Sequence, residues 1–170
     1  MIIIAQIIRL IGSVFGLIAD KSDESKKIYL YNGIFNLANA IQYFLLGAIT
    51  GAISSFIAIF RNVLFYKYKS KVPIIIILIY FLITVLLNIP GYTGLISLIP
   101  ILLVIIYTIA LYAGNILFFK YANLTIYILE IIYDIVYNAY VGIIICIIDL
   151  LVVTISLVKL KKKNKQKNIS

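Results

Sequence analysis

Seven apolar runs, each close to the length of a bilayer crossing, follow one another through this chain with little between them. A hydrocarbon core needs about 20 apolar residues per helix, within a range of roughly 17–25. Breaks marked by charge, Gly or Pro give spans at Ile2–Ala19, Ile28–Gly47, Ala52–Tyr66, Val72–Ile89, Leu95–Ala113, Asn123–Tyr140 and Ile143–Lys159. The third is short and runs toward a lysine-rich end. Of the 170 residues, 64% are hydrophobic and 12% charged, whereas a soluble domain carries roughly 25% charged residues. Lipid is therefore the expected solvent, and the expected fold class is all-α integral membrane with seven transmembrane helices.

The segment Met1–Arg9 has no basic stretch ahead of its apolar run, and Gly12–Ala19 is not a convincing cleavage site, so the first span is expected to be retained. The net charge of +9 is not spread at random. Lys21, Lys26 and Lys27 follow span one, Lys67, Lys69 and Lys71 follow span three, and Lys120 follows span five. Lys159, Lys161, Lys162, Lys163, Lys165 and Lys167 follow span seven. The opposite loops, at 48–51, 91–94 and 141–142, carry no charge. With seven spans all these lysines fall on one side, which the positive-inside rule makes cytoplasmic, leaving the N-terminus outside. The tail reads as a topology anchor on anionic lipid rather than a nucleic-acid arm.

An offset of 91 residues lays spans one to three over spans five to seven, matching Asn32 with Asn123, Ala48 with Ala139 and Gly51 with Gly142. Span four is left as a linker. The expected organisation is a first triplet over 1–71, a linker helix over 72–91, a second triplet over 92–160 and a basic tail over 161–170. An odd linker helix makes the two repeats parallel, related by an axis along the membrane normal. Span four is apolar nearly all round, as suits a helix against lipid.

Hydrocarbon does not hold polar side chains cheaply, and two helical faces carry them. Asn32, Asn36, Asn39 and Tyr43 follow the i, i+4, i+7, i+11 pattern of one face, and Asn123, Tyr127, Glu130 and Asp134 repeat it 91 residues on. These stripes either line a wet cavity between the triplets or hold helices together by hydrogen bonds. Glu130 and Asp134 need a partner, protonation or hydration, at a cost of about 2.5–3.5 kcal/mol each on insertion scales. Arg9 lies at a matching depth, about 12 Å from the outer end of its span against about 15 and 9 Å for the two carboxylates. It shares a face with Ala5, Gly12 and Gly16, which admit a close neighbour. The candidate solute-binding set is Arg9, Asn36, Asn39, Tyr127, Glu130 and Asp134; the alternative for the charged trio is a structural ion pair. Asp149 is a weaker candidate. Arg61 is expected to snorkel to the cytoplasmic interface, and Pro100 to kink span five or act as a hinge. Gly47 to Gly51 fits a small-residue dimer motif but reads as a turn.

No catalytic set assembles. The chain has no His, its one Cys, Cys146, lies in an apolar run, and no Gly-rich phosphate loop is present. Neither an enzyme nor a metal site nor a cofactor is expected.

At Gln42-Tyr-Phe-Leu-Leu-Gly47, followed by a helix with Arg61-Asn62, and on over Leu95–Leu160, the chain resembles the YgjV-type family of bacterial inner-membrane proteins. Gln42 stands where relatives often carry His. The layout of three, one and three spans also resembles the SWEET sugar transporters, their PQ-loop kin and PnuC-type vitamin transporters. That resemblance implies a solute path between the triplets. The chain departs from it in lacking a Pro-Gln pair in span one, where Arg9 aligns with Pro100, and in lacking the paired Asn of sugar sites on spans three and seven.

The expected function is that of a multi-pass inner-membrane carrier for a small polar solute or ion, with a site at the membrane midplane. The alternative is a non-transporting scaffold or partner subunit. The expected partners are the lipid bilayer and such a solute, without nucleic acid, and a homo-oligomer is compatible with this reading.

Overall fold

Helices account for nearly all of the residues that the computed structural model describes, namely 1–22, 24–68 and 72–167, of which 161–167 are described by backbone alone. In chain order they are α1 (Ile2–Lys21), α2 (Ser25–Leu45), α3 (Ile49–Tyr68), α4 (Ile74–Asn88), α5 (Ile99–Tyr112), α6 (Ile116–Val136) and α7 (Tyr140–Lys167). Short 3-10 turns at Ile89–Gly91 and Leu95–Leu98 join α4 to α5. Lys69, Lys71 and the side chains of Lys161, Lys162, Lys163, Lys165 and Lys167 lie outside the described residues.

Six helices are long and apolar enough to cross a membrane, and α2 is not among them. The reason is local. Asn32, Asn39 and Gln42 lower the hydropathy of α2, yet all three are buried in the bundle, and the lipid-facing side keeps Leu30, Ile34, Leu37 and Phe44. α3 spans a full 20 residues, longer than its apolar run suggested.

Pairwise packing runs from α1 to α2, α3, α5, α6 and α7 and back to α1, a closed ring of six helices. α4 lies outside the ring against α3 and α5. It buries one stripe, Ile77, Tyr80, Thr84 and Asn88, and exposes large apolar side chains elsewhere. Gly12 of α1 comes so close to α2 that a methyl group there would overlap Ala38.

The ends of several helices stand at one offset. α2 and α6 begin and end 91 residues apart, α3 and α7 begin 91 apart, and α1 and α5 end 91 apart. The two tight turns match as well. Gly47 and Asn138 both take left-handed backbone, with φ of 76° and 55°. Each is followed by an alanine whose N–H closes the turn at 2.9 Å, Ala48 on the Tyr43 carbonyl and Ala139 on the Asp134 carbonyl. Such closures fill helix-terminal carbonyls that hydrocarbon would leave bare.

Three sequence expectations change here. Pro100 lies in the first turn of α5, where a missing N–H removes no intrahelical bond, so it starts a helix rather than kinking one. Lys120 is not in a loop: α6 begins at Ile116, capped by the Asn115 side chain, which accepts from the N–H groups of Leu117 and Phe118 at 2.9 and 3.2 Å. Arg61 does not reach an interface; it is buried, with 3% exposure.

The apolar core is divided. One cluster joins Ile28, Tyr29, Phe65, Ile77, Leu111 and Phe119 at the end of the bundle where α2 and α6 begin. Another joins Tyr43, Ala48, Ala52, Tyr133 and Ala139 at the end where α3 and α7 begin. Two smaller clusters, one around Tyr127 and Cys146 and one of Ile57, Tyr80 and Val104, complete the apolar core.

Candidate functional site

α1 presents Arg9, Ser13, Gly16 and Asp20 on one face by the i, i+4, i+7, i+11 pattern, and all four are buried. Each charged end of that face organises a polar cluster. Arg9 is fully enclosed. Its guanidinium forms an ion pair with Glu130 Oε1 at 2.9 Å, donates to Asn39 Oδ1 and lies 3.8 Å from Cys146 Sγ. It also stacks on the Phe35 ring, 4.6 Å from the centroid. The Tyr43 hydroxyl donates to Asp134 Oδ1 at 2.7 Å and lies 3.4 Å from Glu130 Oε1. Asp134 has no exposed surface, and its Oδ2 has no partner among the described residues.

Donor atoms of Glu130, Asp134 and Cys146 all lie within 4.8 Å of one another, a spacing a metal ion could use. The Arg9 guanidinium stands within reach of two of them, so the cation at this cluster is the arginine. Glu130 pairs with the guanidinium directly and Asp134 joins the cluster through Tyr43, an arrangement costly to bury but far more costly to break on one side.

The second cluster surrounds Asp20. Its carboxylate accepts from the Tyr127 hydroxyl and from Asn123 Nδ2 at 3.2 Å, and its backbone carbonyl accepts from Lys120 Nζ at 2.9 Å. Lys120 is thus satisfied inside the bundle, which explains why it need not extend to water. Asp149 is also buried, with Oδ1 unpartnered among the described residues.

Between the clusters lies a cavity of about 80 Å³, walled by α2, α3, α5 and α6. That is room for a few water molecules or a small solute. Asn32, Asn36, Asn39 and Tyr43 line it from one side and Asn123, Tyr127 and Glu130 from the other, with Arg61, Ser54 and Tyr107 completing the polar wall. Asn36 also donates to the Asn32 carbonyl at 2.7 Å. Asn32 donates to the Tyr107 hydroxyl, and the Arg61 guanidinium lies 4.1 Å from the Tyr107 ring centroid. At the far end Tyr133 caps the start of α3: the Gly51 N–H donates to its hydroxyl at 3.0 Å, and Thr50 Oγ1 is 3.1 Å away.

The six candidate residues therefore divide. Arg9, Asn39, Glu130 and Asp134 form one cluster; Tyr127 belongs to the Asp20 cluster; Asn36 stands in the cavity wall without a link to Arg9. Asn36, Asn39, Tyr127 and Glu130 line the cavity, while Arg9 and Asp134 are not among its lining residues. Gln42 is fully buried and donates to Gln6 Oε1 at 3.4 Å. Sequence reasoning sends Arg61 to the interface and Lys120 to a loop, and does not single out Asp20 or Tyr107. The signal for Asp20 was present in its helical register with Arg9, but a charge beside Lys21 reads as a loop.

The sequence matches the family described as Imp-YgjV, bacterial inner membrane protein, over residues 3–164. No curated protein and no solved structure matches the chain. Its helices and this match over nearly its full length make it a multi-pass protein of the bacterial inner membrane, and the chain belongs to the Imp-YgjV family.

Proposed function

We propose that this protein carries a small polar solute or ion across the inner membrane through a site between two parallel three-helix units, α1 to α3 and α5 to α7, joined by α4. The observation that carries this reading is the polar cavity of about 80 Å³ in the middle of the bundle. A wall of Asn, Tyr, Glu and Arg at hydrocarbon depth is costly unless it meets water or a ligand, and intramembrane ionisable groups commonly mark solute paths. The common 91-residue offset of helix ends supports parallel repeats, in which the two units rock about a central site. The lysine distribution supports an N-terminus outside and a C-terminus in the cytoplasm. The absence of His from the sequence and the burial of Cys146 against Arg9 favour transport over catalysis.

Glu130→Gln tests the reading. Uptake into proteoliposomes is expected to fall at least tenfold in a variant that still purifies as a folded protein. Unchanged uptake removes Glu130 from the mechanism.

One observation favours the alternative of a non-transporting scaffold: Arg9 and Asp134 are not among the cavity-lining residues, and each is tied to protein groups. Arg9→Ala separates the two readings. A scaffold loses thermal stability and nothing else, whereas a carrier also loses transport at temperatures where the variant remains folded.

A further inference from the structure

The two arginines of the bundle are met differently. Arg9 has Glu130 and Asn39. Arg61, which lines the cavity, forms no ion pair among the described residues. Only 3% of it is exposed, its Nη2 reaches Asn62 Oδ1 at no better than 3.5 Å, and its Nε has no acceptor. The Tyr107 ring lies against the guanidinium, 4.1 Å from centroid to Cζ, and offers it no hydrogen-bond acceptor in that contact. A guanidinium offers five N–H donors in a planar fork; along one edge of Arg61, Nε is buried without an acceptor and Nη2 has only the long contact to Asn62, which is costly. The matching group is a planar anion with two acceptors, which is a carboxylate.

Asn123 supplies the second half of the site. Its amide nitrogen is held by Asp20 Oδ1 at 3.2 Å, which leaves Oδ1 as a free acceptor, and this oxygen is buried without a partner. Asn123 lines the same cavity as Arg61. The two also stand at one level. Counted from the helix ends at Ile49 and Val136, Arg61 lies about 18 Å and Asn123 about 20 Å along the bundle. An orphaned acceptor and an orphaned cationic donor lining one cavity at a similar level ask for a ligand with both an anionic group and a donor. A halide ion has no donor to give Asn123 and no planar pair of acceptors to give Arg61.

We propose that the cavity binds a small organic carboxylate bearing a hydroxyl or amino group, with its carboxylate on Arg61 and its donor on Asn123 Oδ1. This rests on reading the cavity as a solute site, and it names the class of solute. The volume of about 80 Å³ limits the ligand to a few heavy atoms.

Isothermal titration on the purified chain in nanodiscs tests this with lactate, glycolate and glycine, the neutral lactamide and glycolamide, donor-free propionate, and chloride. At least one hydroxy or amino acid is expected to bind ten times or more tightly than the neutral amides, propionate and chloride. Arg61→Gln is expected to weaken that binding tenfold or more, and Asn123→Ala to reduce it to the level of propionate. Should Arg61→Gln fail to fold, Arg61→Lys decides, since it keeps the charge but loses the fork and is expected to bind about tenfold less tightly. Equal binding of acids and amides, equal binding of chloride, full affinity in folded Arg61 variants, or no binding by any of the acids overturns the proposal. Binding of the acid without uptake into proteoliposomes leaves this site standing and removes the transport reading. Uptake of a neutral solute without acid binding does the reverse.

Discussion

The hydroxyl of Tyr43 donates to the carboxylate of Asp134 at 2.7 Å, and the two residues stand 91 positions apart, at equivalent places on α2 and α6. They meet beside the Arg9 ion pair, so one short stretch of the interface carries both the contact between equivalent positions and the buried charge. Both residues also accept the alanine N–H that closes the following turn, which couples the cluster to the path of the backbone.

Removing that hydroxyl leaves Asp134 Oδ1 without its hydrogen-bond donor in a site with no exposed surface. Tyr43→Phe is expected to cost about 1–3 kcal/mol of stability. Reversible unfolding in detergent or nanodiscs measures it, and an unchanged transition would mean that the carboxylate finds another donor.

Arg9→Ala strands Glu130 and is expected to cost about 3–5 kcal/mol. Adding Glu130→Gln removes the stranded charge, so the double variant is expected to be more stable than Arg9→Ala alone. A double-mutant cycle checks this, and simple additivity would show that the two residues are not coupled.

Gly142 lies so close to Asp134 that a Cβ there would collide with its carboxylate. Gly142→Ala is expected to destabilise by about 1–3 kcal/mol through overpacking, and Asp134→Ala in the same chain to relieve most of that loss. Comparing the three melting curves decides whether this contact limits how close α6 and α7 can come.

Lys120 is buried at 1% exposure, whereas Lys26 and Lys67 are exposed. Mild acylation of the folded protein, read by mass spectrometry, is expected to modify Lys26 and Lys67 and to spare Lys120 until the protein is denatured. Rapid acylation of native Lys120 would contradict its place beside the Asp20 carbonyl.

The proposed orientation has its own test. A membrane-impermeant maleimide applied to intact cells is expected to label Tyr92→Cys and to spare Ser22→Cys until the membrane is opened. The reverse pattern inverts the topology while leaving the helix packing intact.

Much of the fold is legible in the sequence, because the bilayer sets the length of an apolar run and the cost of a polar group inside it. The seven helices, the 91-residue offset and the stripes Asn32 to Tyr43 and Asn123 to Asp134 follow from residue type and spacing alone, and Arg9 could be matched to Glu130 by depth. What spacing cannot decide is which neighbour answers each charge. Lys120 and Arg61 read as groups that escape to water, since a lone cation near a helix end usually does. Only the packed bundle supplied the Asp20 carbonyl and the Tyr107 ring that hold them inside. Asp20 itself shares a helical face with Arg9, yet its burial depended on α6 arriving with Tyr127 and Asn123. The cavity is likewise a tertiary product, because a void is bounded by side chains from α2, α3, α5 and α6 at once, and no single stretch of sequence records the space left between them.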